Sequence, residues 1–171
     1  MTRSTDFSLA GLYAAIDAQR QARGLTWAQA MREINGDYRP PTRPVATSTV
    51  TTLQTKAVAE GDGVLGMLRW LGRAPESFIA GLTFDPTSAA LPDVPANKVL
   101  RLDTRRLHAA LDDARQARGM TWQQVAVAIG GVSAASLTHL KKGGRTGFPG
   151  VTRMTQWLGR PVADFTRFAD W

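Results

Sequence analysis

Three basic side chains stand close together late in the sequence and could hold phosphate groups. Lys141, Lys142 and Arg145 follow the stretch "SAASLTHL", which we interpret as a short helix with Ser133 as its N-cap. Ammonium and guanidinium groups in such a run neutralise the charges of a nucleic-acid backbone. A solvated surface run is the ordinary alternative for basic residues at this spacing.

Catalytic chemistry has little support in the residue types present. The chain has no cysteine, which excludes disulfides, thiolate metal sites and thiol nucleophiles, and it has only two histidines, His108 and His139. No carboxylate pair or metal-ligand spacing stands out. The glycine-rich stretch "KKGGRTGFPG" lacks the Gly-Lys-Ser/Thr ending of a phosphate-binding loop and follows no strand. We therefore expect no enzyme activity, no cofactor and no metal.

The positive charge is unevenly distributed along the chain. The formal net charge is +7 for 171 residues. Residues 1–97 hold nine basic and nine acidic side chains, whereas residues 98–171 hold twelve and five. This excess favours an anionic partner for the second half, most often nucleic acid, and simple solubility is the alternative.

One segment occurs twice. "RQARGLTW" at residues 20–27 returns as "RQARGMTW" at 115–122, and residues 12–36 match 107–131 at fourteen of twenty-five positions with an offset of 95. Further on the offset falls to 87, where "WLGR" at 70–73 meets "WLGR" at 157–160. The first copy therefore has eight extra residues. Two copies indicate a tandem duplication rather than a solenoid.

Each copy is predicted to fold into five short helices. The first, about 9–23 or 104–118, ends at Gly24 or Gly119, and the second begins with a Thr-x-x-Gln capping box. No segment alternates polar and apolar residues for long, so we expect an all-α fold. The predicted organisation is a first domain at 1–82 with an insert at 36–47, a proline-rich linker at 83–99, and a second domain at 100–171.

The stretch "MTWQQVAVAIGGVSAASLTHLKKG", residues 120–143, resembles the core of the Cro/C1-type (XRE, lambda-repressor-like) helix-turn-helix family at most apolar positions. The resemblance covers the second copy well and the first more loosely, since the insert falls between its helices two and three. It implies two tandem five-helix domains. In each, helix three lies in the DNA major groove and the start of helix two faces phosphate.

The resemblance also assigns candidate DNA contacts, which we group by role. The base-facing positions of the second copy are Ala134, Ala135, Thr138 and His139. Its helix starts contribute Thr121, Trp122, Gln123 and Ser133, and its phosphate contacts are Lys141, Lys142 and Arg145. The first copy offers Thr47, Ser48, Thr51 and Thr52 on helix three, and Arg39 and Arg43 on the insert as an arm. Three alternatives stay open: Trp122 packs on a neighbouring helix, His139 is merely exposed, and the insert is a solvated loop.

The residues leave two arrangements open. In one, both copies bind duplex DNA as a pseudo-dimer; in the other, only the second copy binds DNA and the first mediates a homodimer or holds a protein partner. Glu60 and Asp62 of the first copy favour the second arrangement, because acids near phosphates weaken binding. The alternative function is an adaptor or antitoxin-like module that keeps the fold without reading bases. No transmembrane-length run or signal-peptide core is seen, so we expect a cytoplasmic, nucleoid-associated protein with no membrane contact.

Overall fold

Helices form most of the chain, and short strands tie its distant parts together. The computed structural model describes residues 5–36 and 44–170. The α-helices of that part are α1 (Leu9–Ala22), α2 (Trp27–Ile34), α3 (Thr47–Thr51), α4 (Gly61–Leu71), α5 (Pro86–Ala89), α6 (Thr104–Ala117), α7 (Trp122–Ile129), α8 (Ala134–His139) and α9 (Gly150–Leu158). The strands are β1 (Ala59–Glu60), β2 (Lys98–Leu102), β3 (Gly147–Phe148) and β4 (Thr166–Asp170). Turns of 3-10 helix cover Thr52–Gln54, Pro75–Phe78, Leu140–Lys142 and Val162–Phe165.

The predicted starts and stops of the first two helices in each copy are confirmed. Gly24 and Gly119 adopt left-handed backbone, with φ of 64° and 61°, directly after α1 and α6. The capping boxes at Thr26 and Thr121 are both formed. These signals are local, which is why sequence alone suffices to find them.

The predicted all-α architecture with two five-helix domains is wrong. In the described residues, β2 pairs antiparallel with β4 and β1 pairs antiparallel with β3. The expected fifth helix is instead a 3-10 turn in each copy, at Pro75–Phe78 and Val162–Phe165. Residues 98 and 99, which the sequence analysis assigns to the linker, begin β2. Each strand is stabilised by a partner far away in sequence, so short-range patterning gives little sign of it.

The beginning and end of each copy lie side by side. In the second copy, Leu102 is opposite Thr166, and the Asp103 amide donates to the Phe165 carbonyl at 2.7 Å. In the first copy the equivalent Ser8 amide donates to the Phe78 carbonyl at 2.9 Å, beside a bridge between residues 7 and 79. Both copies therefore close in the same way around their helices.

A local two-fold relation joins the copies. Glu60 of β1 lies opposite Gly147 of β3, and these two residues are equivalent under the 87-residue offset. The flanking contacts exchange under the same offset: Ala59 lies opposite Phe148, while the Gly61 amide donates to the Thr146 carbonyl at 2.9 Å. The copies thus meet as the two halves of an isologous dimer do, within one chain.

The two copies share part of one hydrophobic core. The core around α1, α2 and α4 includes side chains from the second copy, namely Leu100, Leu102, Phe148, Val151 and Val162. The ring of the fully buried Phe148 lies 4.8 Å from that of Phe7, centroid to centroid. The equivalent contact on the other side of the two-fold is Leu102 against Gly61, where a side chain on Gly61 would have no room. Separating the copies would expose these apolar surfaces to water.

Two ion pairs cross the interface with their charges exchanged. Arg153 of α9 donates to both carboxylate oxygens of Asp6, at 2.8 and 2.7 Å. Arg101, equivalent to Asp6 under the 95-residue offset, instead pairs with Asp62 of α4 at 3.3 Å. The equivalent segments before the first helix of each copy therefore contact the opposite copy through side chains of opposite charge.

A third polar group lies within the interface. The Val162 amide donates to Oε1 of Glu76 at 2.7 Å, whereas Oε2 has no hydrogen-bond partner in the part of the chain that the structure describes. Glu76 is 6% exposed, and burial raises the pKa of its carboxyl above the ordinary range. The Glu76 carboxyl therefore takes up a proton more readily in the folded state than in the unfolded state.

The Glu76→Gln variant should change how stability depends on pH. A raised folded-state pKa means that wild-type stability is greatest below the pKa of the unfolded carboxyl and falls as pH rises through the folded-state value. The introduced amide keeps an acceptor for the Val162 amide and has no charge to bury, so this fall should be absent. Urea unfolding between pH 4 and 7 checks it. The wild type should lose free energy of unfolding relative to the variant as pH rises, and parallel curves would contradict the burial argument.

Candidate nucleic-acid interface

The segment α7–turn–α8 forms a helix-turn-helix in the second copy. Gly130 and Gly131 take positive φ, 75° and 71°, between the helices, and the Ser133 hydroxyl accepts from the Ser136 amide at 3.1 Å to start α8. Leu137 faces the core and is fully buried. The opposite face of α8 therefore points outward.

That outward face is small and polar. Ala135, Thr138 and His139 are exposed, while Ala134 is half-buried against the core. The Thr138 hydroxyl donates to the Ala135 carbonyl at 3.0 Å, which leaves its oxygen able to accept. Two alanines allow close approach and contact with a thymine methyl group but supply no hydrogen bond to a base edge.

The start of α7 carries an aromatic residue that packs within its own copy. The Trp122 ring lies 5.1 Å from the His108 ring, and the Arg115 guanidinium lies over it at 5.1 Å. The first copy repeats this arrangement, with Trp27 stacked on Tyr13 at 6.0 Å. Trp122 thus contacts α6. Beside it, the Thr121 hydroxyl accepts from the Gln124 amide at 3.2 Å and Gln123 is exposed.

The basic run after α8 is available to an anion. Lys141, Lys142 and Arg145 are exposed, and none of them makes an ion pair with another residue in the ranges 5–36 and 44–170. Within this run the chain changes direction at Gly143, whose backbone is left-handed, with φ of 74°. These three cations beside the end of α8 give this surface the charge that phosphate binding requires.

The third helix of the first copy is shorter. The α3 helix has five residues, and its N-cap residue Ala46 makes no side-chain cap. Thr47, Ser48 and Thr52 are exposed, and Thr51 is half-buried. The Thr52 hydroxyl donates to the Ser48 carbonyl at 2.6 Å, so its remaining capacity is as an acceptor. The face of α3 is richer in hydroxyls than that of α8.

The insert before α3 is held at its base. The Asn35 side chain both donates to the Val45 carbonyl, at 2.9 Å, and accepts from the Val45 amide, at 2.8 Å. These two bonds bring the ends of the insert together beside α2. Arg39 and Arg43, the arm residues of the sequence analysis, lie outside the described residues.

The two acids that follow α3 have structural partners. Glu60 accepts from the Gly63 amide at 3.0 Å and caps α4. Asp62 accepts from the Leu102 amide at 2.9 Å and pairs with Arg101, while burial raises the pKa of its carboxyl. Both acids therefore stabilise the fold, Glu60 at the start of α4 and Asp62 against the second copy.

The two third-helix segments precede the strands of the local two-fold by equal lengths of chain. Four residues lie between Gln54 and Ala59, and four lie between Lys142 and Gly147. Each gap is five residue steps and spans at most about 17 Å, so with about 5 Å between paired strands the ends of the two helical segments are separated by no more than about 40 Å. Successive major-groove faces of B-DNA are about 34–36 Å apart.

Arg153 is a positioning residue that sequence reasoning missed. Besides its pair with Asp6, it reaches the Gly131 carbonyl at 3.3 Å, in the turn between α7 and α8. Asp6 and Arg153 are 147 residues apart, and no local pattern connects them. The turn that orients α8 is therefore attached to the first copy.

No family model, curated protein or solved structure matches this chain. None of the helices in the described ranges combines the length and the apolar character needed to cross a membrane.

Proposed function

We propose that the chain is a sequence-specific DNA-binding transcriptional regulator that acts as a single-chain pseudo-dimer. In this proposal α8 enters one major groove and α3 the next, while Lys141, Lys142 and Arg145 contact phosphates. The observation that carries it is the local two-fold between β1 and β3, each of which begins four residues after the end of a third-helix segment. Two recognition helices related by a two-fold axis suit a DNA duplex, because the symmetry of the duplex relates half-sites one helical turn apart.

The face chemistry supports different half-sites for the two copies. The α8 face offers alanines, Thr138 and His139, whereas α3 offers a row of hydroxyls. Different donors and methyl contacts select different base edges. We therefore expect an operator with two unequal half-sites rather than a true palindrome, and association with the nucleoid follows from such binding.

Selection of bound sequences from a random duplex library tests this function. The full chain at about 50 mM salt should enrich two unequal half-sites with centres about 10 base pairs apart. Fluorescence anisotropy with a selected duplex then measures affinity. A single enriched half-site would remove α3 from the interface, and absence of any binding would reject the DNA-binding function.

One observation favours the adaptor alternative. A groove of about 930 Å³ runs along α8, lined by Val58, Val132, Ala135 and His139 among others, and Val58 is 63% exposed. An apolar groove beside a helix suits a peptide segment better than a phosphate backbone. The library experiment separates the two functions, because an adaptor without base readout enriches no sequence.

A further inference from the structure

A second basic site adjoins the α8 face and shares Arg145 with it. A cavity of about 720 Å³ opens between β2, β4, the start of α6 and the turn at 143–146. Five arginines are among the residues that line it: Arg101, Arg105, Arg106, Arg145 and Arg167. Its volume falls within the range of about 300–1,000 Å³ that is usual for small-molecule sites.

Two of these arginines face each other across a sheet. Arg101 of β2 is directly opposite Arg167 of β4. Like charges at directly opposed positions destabilise an antiparallel pair. Asp62 balances Arg101 in part, at 3.3 Å, whereas Arg167 is exposed and makes no ion pair within the described ranges. Asp62 also interacts electrostatically with Arg167, so one carboxylate serves both guanidinium groups and leaves their combined charge positive. An anion bound between them would offset the remaining repulsion.

The carboxylates of the cavity do not remove its positive charge. Glu60, Asp62 and Asp103 line it, giving five guanidinium groups against three carboxylates. The Asp103 carboxylate accepts from the Arg106 amide at 3.0 Å and caps α6, while Glu60 and Asp62 have the partners already described. Arg105, Arg106 and Arg145 make no ion pair with any described residue.

The first copy has no counterpart of this cluster. The positions equivalent to Arg101, Arg105, Arg106, Arg145 and Arg167 hold Asp6, Ala10, Gly11, Val58 and Ala80. If these arginines only stabilised the fold that both copies share, we would expect arginines at the equivalent positions of the first copy. Five of the twelve basic residues after position 97 therefore belong to one cavity of the second copy, which explains much of the charge asymmetry.

We propose that this cavity binds a small phosphorylated anion with two or more negative charges. All five basic groups are arginines, whose planar forks match phosphate oxygens in pairs. They come from β2, α6, the 143–146 turn and β4, so they surround a ligand rather than follow an extended backbone. Arg145 also belongs to the proposed phosphate contacts of the α8 face, and ligand binding therefore couples to DNA binding through that residue.

Calorimetric titration of the full chain with inorganic pyrophosphate, without DNA, tests the site. Wild type should bind one equivalent, and Arg105→Gln combined with Arg167→Gln should weaken binding at least tenfold. Both residues are exposed, so the double variant should melt like wild type. A matched control, Arg32→Gln with Arg69→Gln, removes two exposed arginines elsewhere and should bind as wild type does.

Three outcomes would overturn the proposal. The first is that wild type does not bind pyrophosphate, and the second is that the control variant weakens pyrophosphate binding as much as Arg105→Gln with Arg167→Gln does. The third is that Lys141→Gln with Lys142→Gln weakens pyrophosphate binding whereas Arg105→Gln with Arg167→Gln does not. A parallel anisotropy assay distinguishes the source of the phosphate. If Arg105→Gln with Arg167→Gln weakens DNA binding and leaves pyrophosphate binding unchanged, the arginine cluster belongs to the DNA-binding surface. Because the calorimetry contains no DNA, failure of the proposed DNA-binding function would leave its result unaffected.

Discussion

Neutralising the two lysines after α8 should lower affinity for duplex DNA by about 100-fold at 50 mM salt and by about 8-fold at 200 mM. Lys141 and Lys142 are exposed and make no ion pair within the described residues, so Lys141→Gln with Lys142→Gln removes charge without exposing a partner. Each phosphate contact releases about 0.9 counterion when the protein binds, and a variant without the contact no longer releases it. The slope of log K against log salt should therefore become shallower by about 1.8. Fluorescence anisotropy across a salt series measures both quantities.

A control with the same change in net charge makes this result specific. Arg69→Glu also removes two charge units, and Arg69 is exposed on α4, outside the proposed recognition helices and the basic run after α8. It should leave the slope unchanged and alter affinity only slightly, because it removes no proposed phosphate contact and salt screens exposed charges that are not in contact. An equal loss in both variants would mean that net charge alone holds the DNA, and the assignment of the lysines to phosphate would then fail.

The local parts of this fold could be predicted from sequence, and so could the basic run. Gly24 and Gly119 stop their helices, and Thr26 and Thr121 cap the next ones, because each signal acts within one turn of helix. Lys141, Lys142 and Arg145 are neighbours in the chain, so their common surface needs no knowledge of the fold.

The parts that depend on distant partners could not be predicted. The strand β2 has no extended alternation and exists because β4 pairs with it and α4 packs on it. Arg101 and Arg167 become neighbours only through that pairing, so the arginine cavity has no local signal. The sequence predicted that Glu60 and Asp62 disfavour phosphate near the first copy, but it gave no sign that both have structural partners. The duplication revealed two copies but not that they pack together.

The shared core determines how this protein can be divided for experiments. Isolated residues 1–82 would lack Phe148, Val151 and Val162, which complete the core of the first copy. Such fragments expose apolar surface and lose the Asp6–Arg153 pair, so their failure to bind DNA would report unfolding rather than function. Comparisons between the copies therefore require substitutions in the full chain.

Phe148→Ala should lower the free energy of unfolding by about 3–5 kcal/mol, the usual cost of removing a buried phenylalanine ring. Phe148 is fully buried and contacts Phe7 of the other copy at 4.8 Å between ring centroids. Because the cavity would lie in the shared core, both copies should lose stability together. Urea unfolding measures the total, and native-state hydrogen exchange measures each copy through the buried amides of α1 and α6.

The exchange data distinguish one cooperative unit from two. If the copies fold as one, the slowest amides of α1, around Leu12 and Ile16, should lose as much protection as those of α6, around Leu107 and Leu111. Val127→Ala is the matched control: it truncates a side chain that is 73% exposed on α7 and should change stability by less than about 0.5 kcal/mol. Loss of protection in α1 alone would show that the second copy folds independently. A rigid two-fold arrangement of α3 and α8 would then lack its physical basis, since only a common folded unit keeps both helices at the spacing that a duplex requires.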